Sequence, residues 1–195
     1  MVTLHLVRHG DVVPDAGPAS GWVLHPDAAT GIADLRGSAA LPVSAKWFSS
    51  PEPKAFQTAR ALTDVTIGLV DGLREMSRPA ERWRGADEWR QIVRRSMEQL
   101  DRPALPDWET GRATTDRVVG AVGRIRESCP DDDVVLVGHG TAWTLLVSAL
   151  TGRPPDFEAW TRLRMPDHCV LTLDDRTTGT GTLVAEWGQW ALGSG

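Results

Sequence analysis

The 195-residue chain contains no tyrosine and no asparagine, only two cysteines, and only two lysines against 19 arginines. Two cysteines, Cys129 and Cys169, are too few for a disulfide framework. A chain of this length buries roughly two-thirds of its unfolded surface and does not need one. That usage fits a reducing compartment, and a cytoplasmic location is the expectation. The opening MVTLHLVRHGD has neither a long apolar region nor a small-residue cleavage pattern, so no secretory signal is expected. The longest mostly apolar stretch, residues 142–150, is about half the length that crosses a bilayer, and no membrane partner is expected. Long runs of like charge are also absent. With a formal net charge of −5, the chain lacks the basic arm of a nucleic-acid binder and the polybasic segment of a membrane anchor. Residues 74–102 hold eight arginines but also six acids, the composition of a salt-bridged, solvated face. The scarcity of lysine makes Lys46 and Lys54 exceptions in this chain.

What is present reads as alternating strands and helices. Residues 2–7 form an apolar, β-branched run that stops at Arg8-His9-Gly10. Residues 11–27 carry five Pro or Gly breakers and predict a long loop, with a short helix over 27–36. A strand over 45–49 leads to Ser50-Pro51, an N-cap and first-turn pair for a helix reaching Leu62. Residues 65–70 predict a third strand, 86–100 and 114–126 helices, and 134–138 a buried strand. That strand runs into Gly138-His139-Gly140, where Thr141 is positioned to cap a helix over 142–150. A helical turn at 157–163, strands at 169–173 and 183–187, and a hairpin turn at 176–181 complete the pattern. The alternation predicts an α/β layer fold. Residues 1–195 read as one domain, with 76–110 as a lid or insertion over the core.

Both histidine sites share a physical setting, an apolar strand that ends in histidine followed by glycine. In parallel α/β sheets, ligand sites form beyond the carboxyl ends of strands, so His9 and His139 meet if their strands are adjacent and parallel. Neutral histidine is a nucleophile near pH 7, and a second, protonated histidine stabilises an anion's oxygens. Arg8 adds a fork of donors suited to phosphate. Taken alone, the same two dipeptides also read as loop histidines closing strand ends. Glu75, just after the third strand, reads either as an acid able to protonate a leaving oxygen or as a surface carboxylate. Lys54 sits at a helix start, where a cation is unfavourable unless an anion compensates it. A metal site built from Asp11, His25 and His168 with His9 or His139 has no compact ligand spacing behind it. Trp22, Trp83 and Trp89 are candidates for an apolar substrate wall or an interface, and Arg78, Arg82 and Arg84 read first as surface salt-bridge partners.

Four landmarks in order resemble the histidine phosphatase superfamily, relatives of phosphoglycerate mutase. They are Arg8-His9-Gly10, the segment from Ser50 through Lys54 and Ala55 to Thr58-Ala59, Leu73-Arg74-Glu75, and Gly138-His139-Gly140. The resemblance implies a three-layer α/β/α fold with a mostly parallel mixed sheet. It also implies a catalytic group of His9, Glu75, His139 and Arg8, with phosphate held by Arg8, Lys54 and His139. His9 is then the nucleophile that forms phosphohistidine, and Glu75 the proton donor. No metal, redox or organic cofactor is implied, and the partner is a small phosphorylated metabolite. Two positions depart from the family pattern. The family's arginine is Lys54 here, and the Thr and Asn that many relatives carry after Arg-His-Gly are replaced by Asp11 and Pro14. Hydrolysis of a small phosphomonoester is the leading expectation. Mutase-type phosphoryl transfer and non-catalytic binding of a phosphorylated ligand are the alternatives.

Overall fold

A computed structural model describes residues 2–15, 17–78, 85–173 and 180–192. Among them, six strands form one sheet in the order β3-β2-β4-β1-β5-β6. These are β1 (Val2–Arg8), β2 (Lys46–Ser49), β3 (Ile67–Leu69), β4 (Val134–Gly138), β5 (Asp167–Leu173) and β6 (Gly181–Ala185). The first four are mutually parallel, while β5 and β6 add an antiparallel edge.

Strand alternation sends successive side chains to opposite faces, and each face is covered by its own helices. Leu4, Leu6, Val134, Leu136 and Leu171 pack against α4 (Gly111–Ser128) and α5 (Gly140–Thr151). Val7, Trp47, Val135 and Val137 pack against α1 (Ala28–Gly37) and α2 (Pro53–Leu62). The result is the expected three-layer α/β/α arrangement. A third cluster joins Met76, Ile92, Val93, Met97 and Trp108 to Leu145, so α3 (Ala86–Glu98) packs onto α5 beside α6 (Phe157–Arg162). None of the described helices is long and apolar enough to cross a membrane.

The differences from expectation lie at the last two strands, where β5 starts two residues earlier than expected and β6 covers 181–185 in place of 183–187, and at helix starts. Ser50 is not a cap, because α2 begins at Pro53 with Glu52 as its N-cap residue in an extended conformation. Thr141 is not a cap either, because α5 starts at Gly140, two residues earlier than expected, with His139 in the cap position. The expected hairpin turn falls mostly on residues 174–179, outside the described residues.

The central strands tolerate little change where they meet α5. Trp143 is fully buried, and its indole N–H donates to the Val7 carbonyl at 2.8 Å. A Cβ at Gly138 would lie 2.5 Å from the Trp143 ring. Gly138→Ala is therefore expected to lower unfolding free energy by about 1–3 kcal/mol, read as a reduced urea midpoint. An unchanged midpoint would mean that the ring shifts freely.

Candidate active site

Arg8 ends β1 and is paired with Gly138 at the end of parallel β4, so residues 9 and 139 leave the sheet side by side. The His9 amide donates to the Gly138 carbonyl at 3.0 Å, and the two imidazoles stand edge to face with centroids 5.4 Å apart. The chain after β1 passes to α1 on one face, and the chain after β4 enters α5 on the other. Between them lies a cavity of about 670 Å³ that is lined by Arg8, His9, Glu52, Lys54, Glu75 and His139 among others. The fold thus brings together every residue that the sequence nominated for phosphate chemistry. Gly10 permits the close approach of α1, because a Cβ there would lie 2.9 Å from Ile32.

The His9 Nδ1 lies 2.7 Å from the Gly10 carbonyl, which accepts only from N–H and so assigns the proton to Nδ1. The Nε2 lone pair is then left for a nucleophile's role. Burial first, then the charges of His139, Arg8 and Lys54, holds the His9 pKa well below 6.5, so the ring is neutral at pH 7. His139 is likewise pushed well below 6.5, by burial first and then by Lys54. The protonated second histidine expected from sequence is therefore neutral here. Its Nε2 lies 2.9 Å from Ser50 Oγ, which accounts for Ser50 without capping.

Arg8 donates to the carbonyls of Leu163 at 2.9 Å and Arg164 at 3.3 Å, while its buried Nε has no partner among the described residues. Glu75 lies at the start of α5. Its carboxylate accepts from the amides of Met76 and Ala142, both at 2.9 Å, and Thr141 at 3.1 Å. Burial alone would raise its pKa, but Arg78 and these amides pull it down to about 2. The proton donor expected from sequence is thus a carboxylate in this structure, and Glu75, not Thr141, satisfies the first amides of α5.

Lys54 lines the cavity as well. It is 4% exposed, so it does not reach into solvent, and its anionic partner is already in the protein. Its Nζ lies 2.6 Å from Glu52 Oε2 and also donates to the Ala19 carbonyl. Sequence reasoning overlooked Glu52, and the only signal for it was an acid two residues before the exceptional lysine.

Arg117 was also overlooked. From α4 it donates to the carbonyls of Gly72, Arg74 and Glu75 and forms an ion pair with Glu109 at 2.7 Å, fixing the loop that carries Glu75. Arg78 is not a surface residue but lies over the rings of Trp89 and Trp108, at 4.6 and 5.1 Å from their centroids. Its Nη2 donates to Thr141 Oγ1 at 3.0 Å. Trp22 and Trp89 do line the cavity, as does Trp160, whereas Arg82, Trp83 and Arg84 lie outside the described residues. The candidate metal ligands are not assembled. His168 Nε2 lies 3.1 Å from His5 Nδ1, and His25 pairs with Asp27. Among the described residues no group of three or more His, Cys, Asp or Glu has metal-binding geometry.

These ionisations make stability pH-dependent. His5, His9, His139 and His168, the last held near 3, all bind protons more weakly folded than at the ordinary 6.5. As pH falls below 6.5 the unfolded chain takes up more protons, and each histidine removes up to about 1.4 kcal/mol per pH unit. Glu75, about 2 folded against 4.5 otherwise, contributes stability above 4.5 that is lost as pH falls towards 2. Both effects have the same sign. Urea unfolding should give a clearly lower free energy at about pH 5 than at about pH 7, and a flat profile would contradict the burial of neutral imidazoles.

The sequence pattern of the histidine phosphatase superfamily (branch 1) matches residues 4–187. An uncharacterised phosphatase, PhoE of Bacillus subtilis, is 28% identical over 179 residues, 89% of each chain. Among solved structures, YhfR of Bacillus stearothermophilus superposes with a TM-score of 0.76 at 20% identity, covering 95% of this chain and 96% of that one. A phosphoglycerate mutase of Bacillus anthracis gives 0.76 at 18% identity, covering 94% and 92%. A family pattern spanning nearly the whole chain, over a cavity where both strand-end histidines meet, places this protein in branch 1 of the histidine phosphatase superfamily.

Proposed function

We propose that the protein hydrolyses a small phosphomonoester through a phosphohistidine on His9. The observation that carries this reading is the neutral His9, whose Nδ1 is committed to the Gly10 carbonyl and whose other nitrogen remains for attack within a cavity lined by Arg8, Lys54 and Glu75. His9 Nε2 forms a bond to phosphorus as the bond from phosphorus to the ester oxygen breaks, and Glu75 protonates the departing alkoxide. Glu75, now a carboxylate, then takes a proton from the water that attacks phosphorus. The P–N bond breaks, and phosphate leaves with that proton, returning Glu75 to a carboxylate and His9 to its neutral form. Glu75 is a carboxylate before substrate arrives, so a monoester monoanion brings the proton that it passes on, and the added negative charge beside it raises its affinity for that proton. Arg8, Lys54 and the neutral His139 supply donors for the phosphoryl oxygens, in keeping with a reaction governed by positioning and charge.

Hydrolysis is preferred to mutase-type return of the phosphoryl group because residues 76–110 offer little chain with which to enclose the intermediate, and enclosure is what would protect it from water. Release of phosphate from para-nitrophenyl phosphate and a panel of organic monoesters, in the presence of a chelator, should be lost in His9→Ala. Acid-labile phosphate should be trapped on His9 of the parent. Binding without turnover on any ester would support a ligand-binding protein, and rapid isomerisation of 3-phosphoglycerate with little free phosphate would support a mutase.

Glu75→Gln should damage alkyl phosphates more than para-nitrophenyl phosphate, by at least about tenfold in kcat/KM, because a nitrophenolate leaves without protonation. Equal losses on both substrates would assign the acid's role elsewhere.

A further inference from the structure

A carboxylate stands in the wall of the phosphate pocket. Glu52 and Lys54 both line the cavity, their side chains are only 3% and 6% exposed, and Glu52 Oε2 lies 2.6 Å from Lys54 Nζ. Glu52 is held from its other side as well. Its Oε1 accepts the backbone amide of Glu75 at 3.0 Å and lies 3.7 Å from His139 Nε2. The carboxylate is therefore fixed among the lysine, the second histidine and the peptide that carries Glu75. Lys54 is restrained too, because it also donates to the Ala19 carbonyl.

We propose that Glu52 is an affinity-setting residue of this pocket, competing with the bound phosphoryl group for the Lys54 ammonium and thereby weakening the binding of phosphate. This inference rests on the reading of the cavity as a phosphate site. A buried ion pair with this geometry is already satisfied, so a phosphoryl oxygen approaching Lys54 gains only part of the ammonium's attraction. The same oxygen meets the repulsion of a carboxylate that the Glu75 amide prevents from turning away. Of the buried cations along the cavity, Lys54 is paired with Glu52 and Arg78 faces Glu75 at 4.0 Å, while Arg8 hydrogen-bonds to carbonyls and feels the charges of Glu75, Asp167 and Asp11 without an ion pair to any of them. Arg8 is then the cation least committed to a single carboxylate. A pocket with one such cation holds product phosphate less tightly than one with three, which favours release after hydrolysis.

The test is calorimetric binding of inorganic phosphate to the full chain at neutral pH. Glu52→Gln keeps the acceptor for the Glu75 amide but removes the competing charge, and should tighten phosphate binding by roughly tenfold or more. In steady-state kinetics the same variant should lower KM and strengthen inhibition by phosphate, whereas mere loss of a structural contact would weaken both. Lys54→Met leaves Glu52 uncompensated beside the ligand, so it should bind phosphate more weakly than the double variant Glu52→Leu/Lys54→Met, in which both charges are gone. This second comparison decides the matter if Glu52→Gln does not fold. Unchanged or weaker phosphate binding by a folded Glu52→Gln, or a Lys54→Met variant that binds at least as well as the double variant, overturns the proposal and leaves the phosphate site standing. Failure of the parent to bind phosphate at any accessible concentration overturns the phosphate site itself, and this inference with it.

Discussion

The parallel pairing of β1 with β4 is the constraint on which the site depends. Its register places Arg8 opposite Gly138, and the next residue of each strand is a histidine. A shift of one residue in this pairing would turn every β1 side chain to the other face and separate the two imidazoles. The register is held by burial on both faces, with Leu4 and Leu6 against α4 and α5 and Val7 against α1 and α2. The same hydrophobic packing that stabilises the sheet therefore positions the chemistry. Gly10 and Gly138 serve that packing as well, one beneath Ile32 and the other beneath Trp143.

Around this pair the protein buries charge without leaving it uncompensated. Glu75 is stabilised by three backbone amides, two of them from the first turn of α5, and Arg78 is stabilised by two tryptophan rings and a hydroxyl. Lys54 and Glu52 neutralise one another. Deprotonated Glu75 and neutral His9 are two outcomes of one electrostatic arrangement: cations and amide dipoles favour the carboxylate, while burial and the same cations disfavour an imidazolium. The site thus holds His9 neutral and Glu75 ionised in the absence of a ligand.

Positioning extends beyond residues that line the cavity. Arg117 gathers the carbonyls of Gly72, Arg74 and Glu75 and is itself anchored by Glu109, so the angle at which Glu75 meets α5 is determined from α4. The segment around α3 contributes through Trp89 and Trp108, which orient Arg78 towards Thr141. These contacts join the sheet-packed helices α4 and α5 to the segments that line the cavity.

Local sequence was sufficient for the strands and for the order of the chemical landmarks, because apolar runs that end in His-Gly carry their meaning within a few residues. The three-layer fold, the meeting of His9 with His139, and the membership of Lys54 and Glu75 in the site followed from those landmarks and their resemblance to one family. The need of Lys54 for an anion was also legible, since a cation at a helix start is unfavourable by itself. Its partner was not. Within a helix, residues two apart point away from each other, but Glu52 precedes α2 in an extended conformation that folds its carboxylate back over Lys54. Arg78 was equally opaque, because its rings come from Trp89 and Trp108, brought together only by packing of α3 and the chain after it. The sequence and its family landmarks determined which ionisable groups this protein brings to the cavity. Tertiary structure alone decided their charge states and pairings, because burial and contacts between distant segments set both.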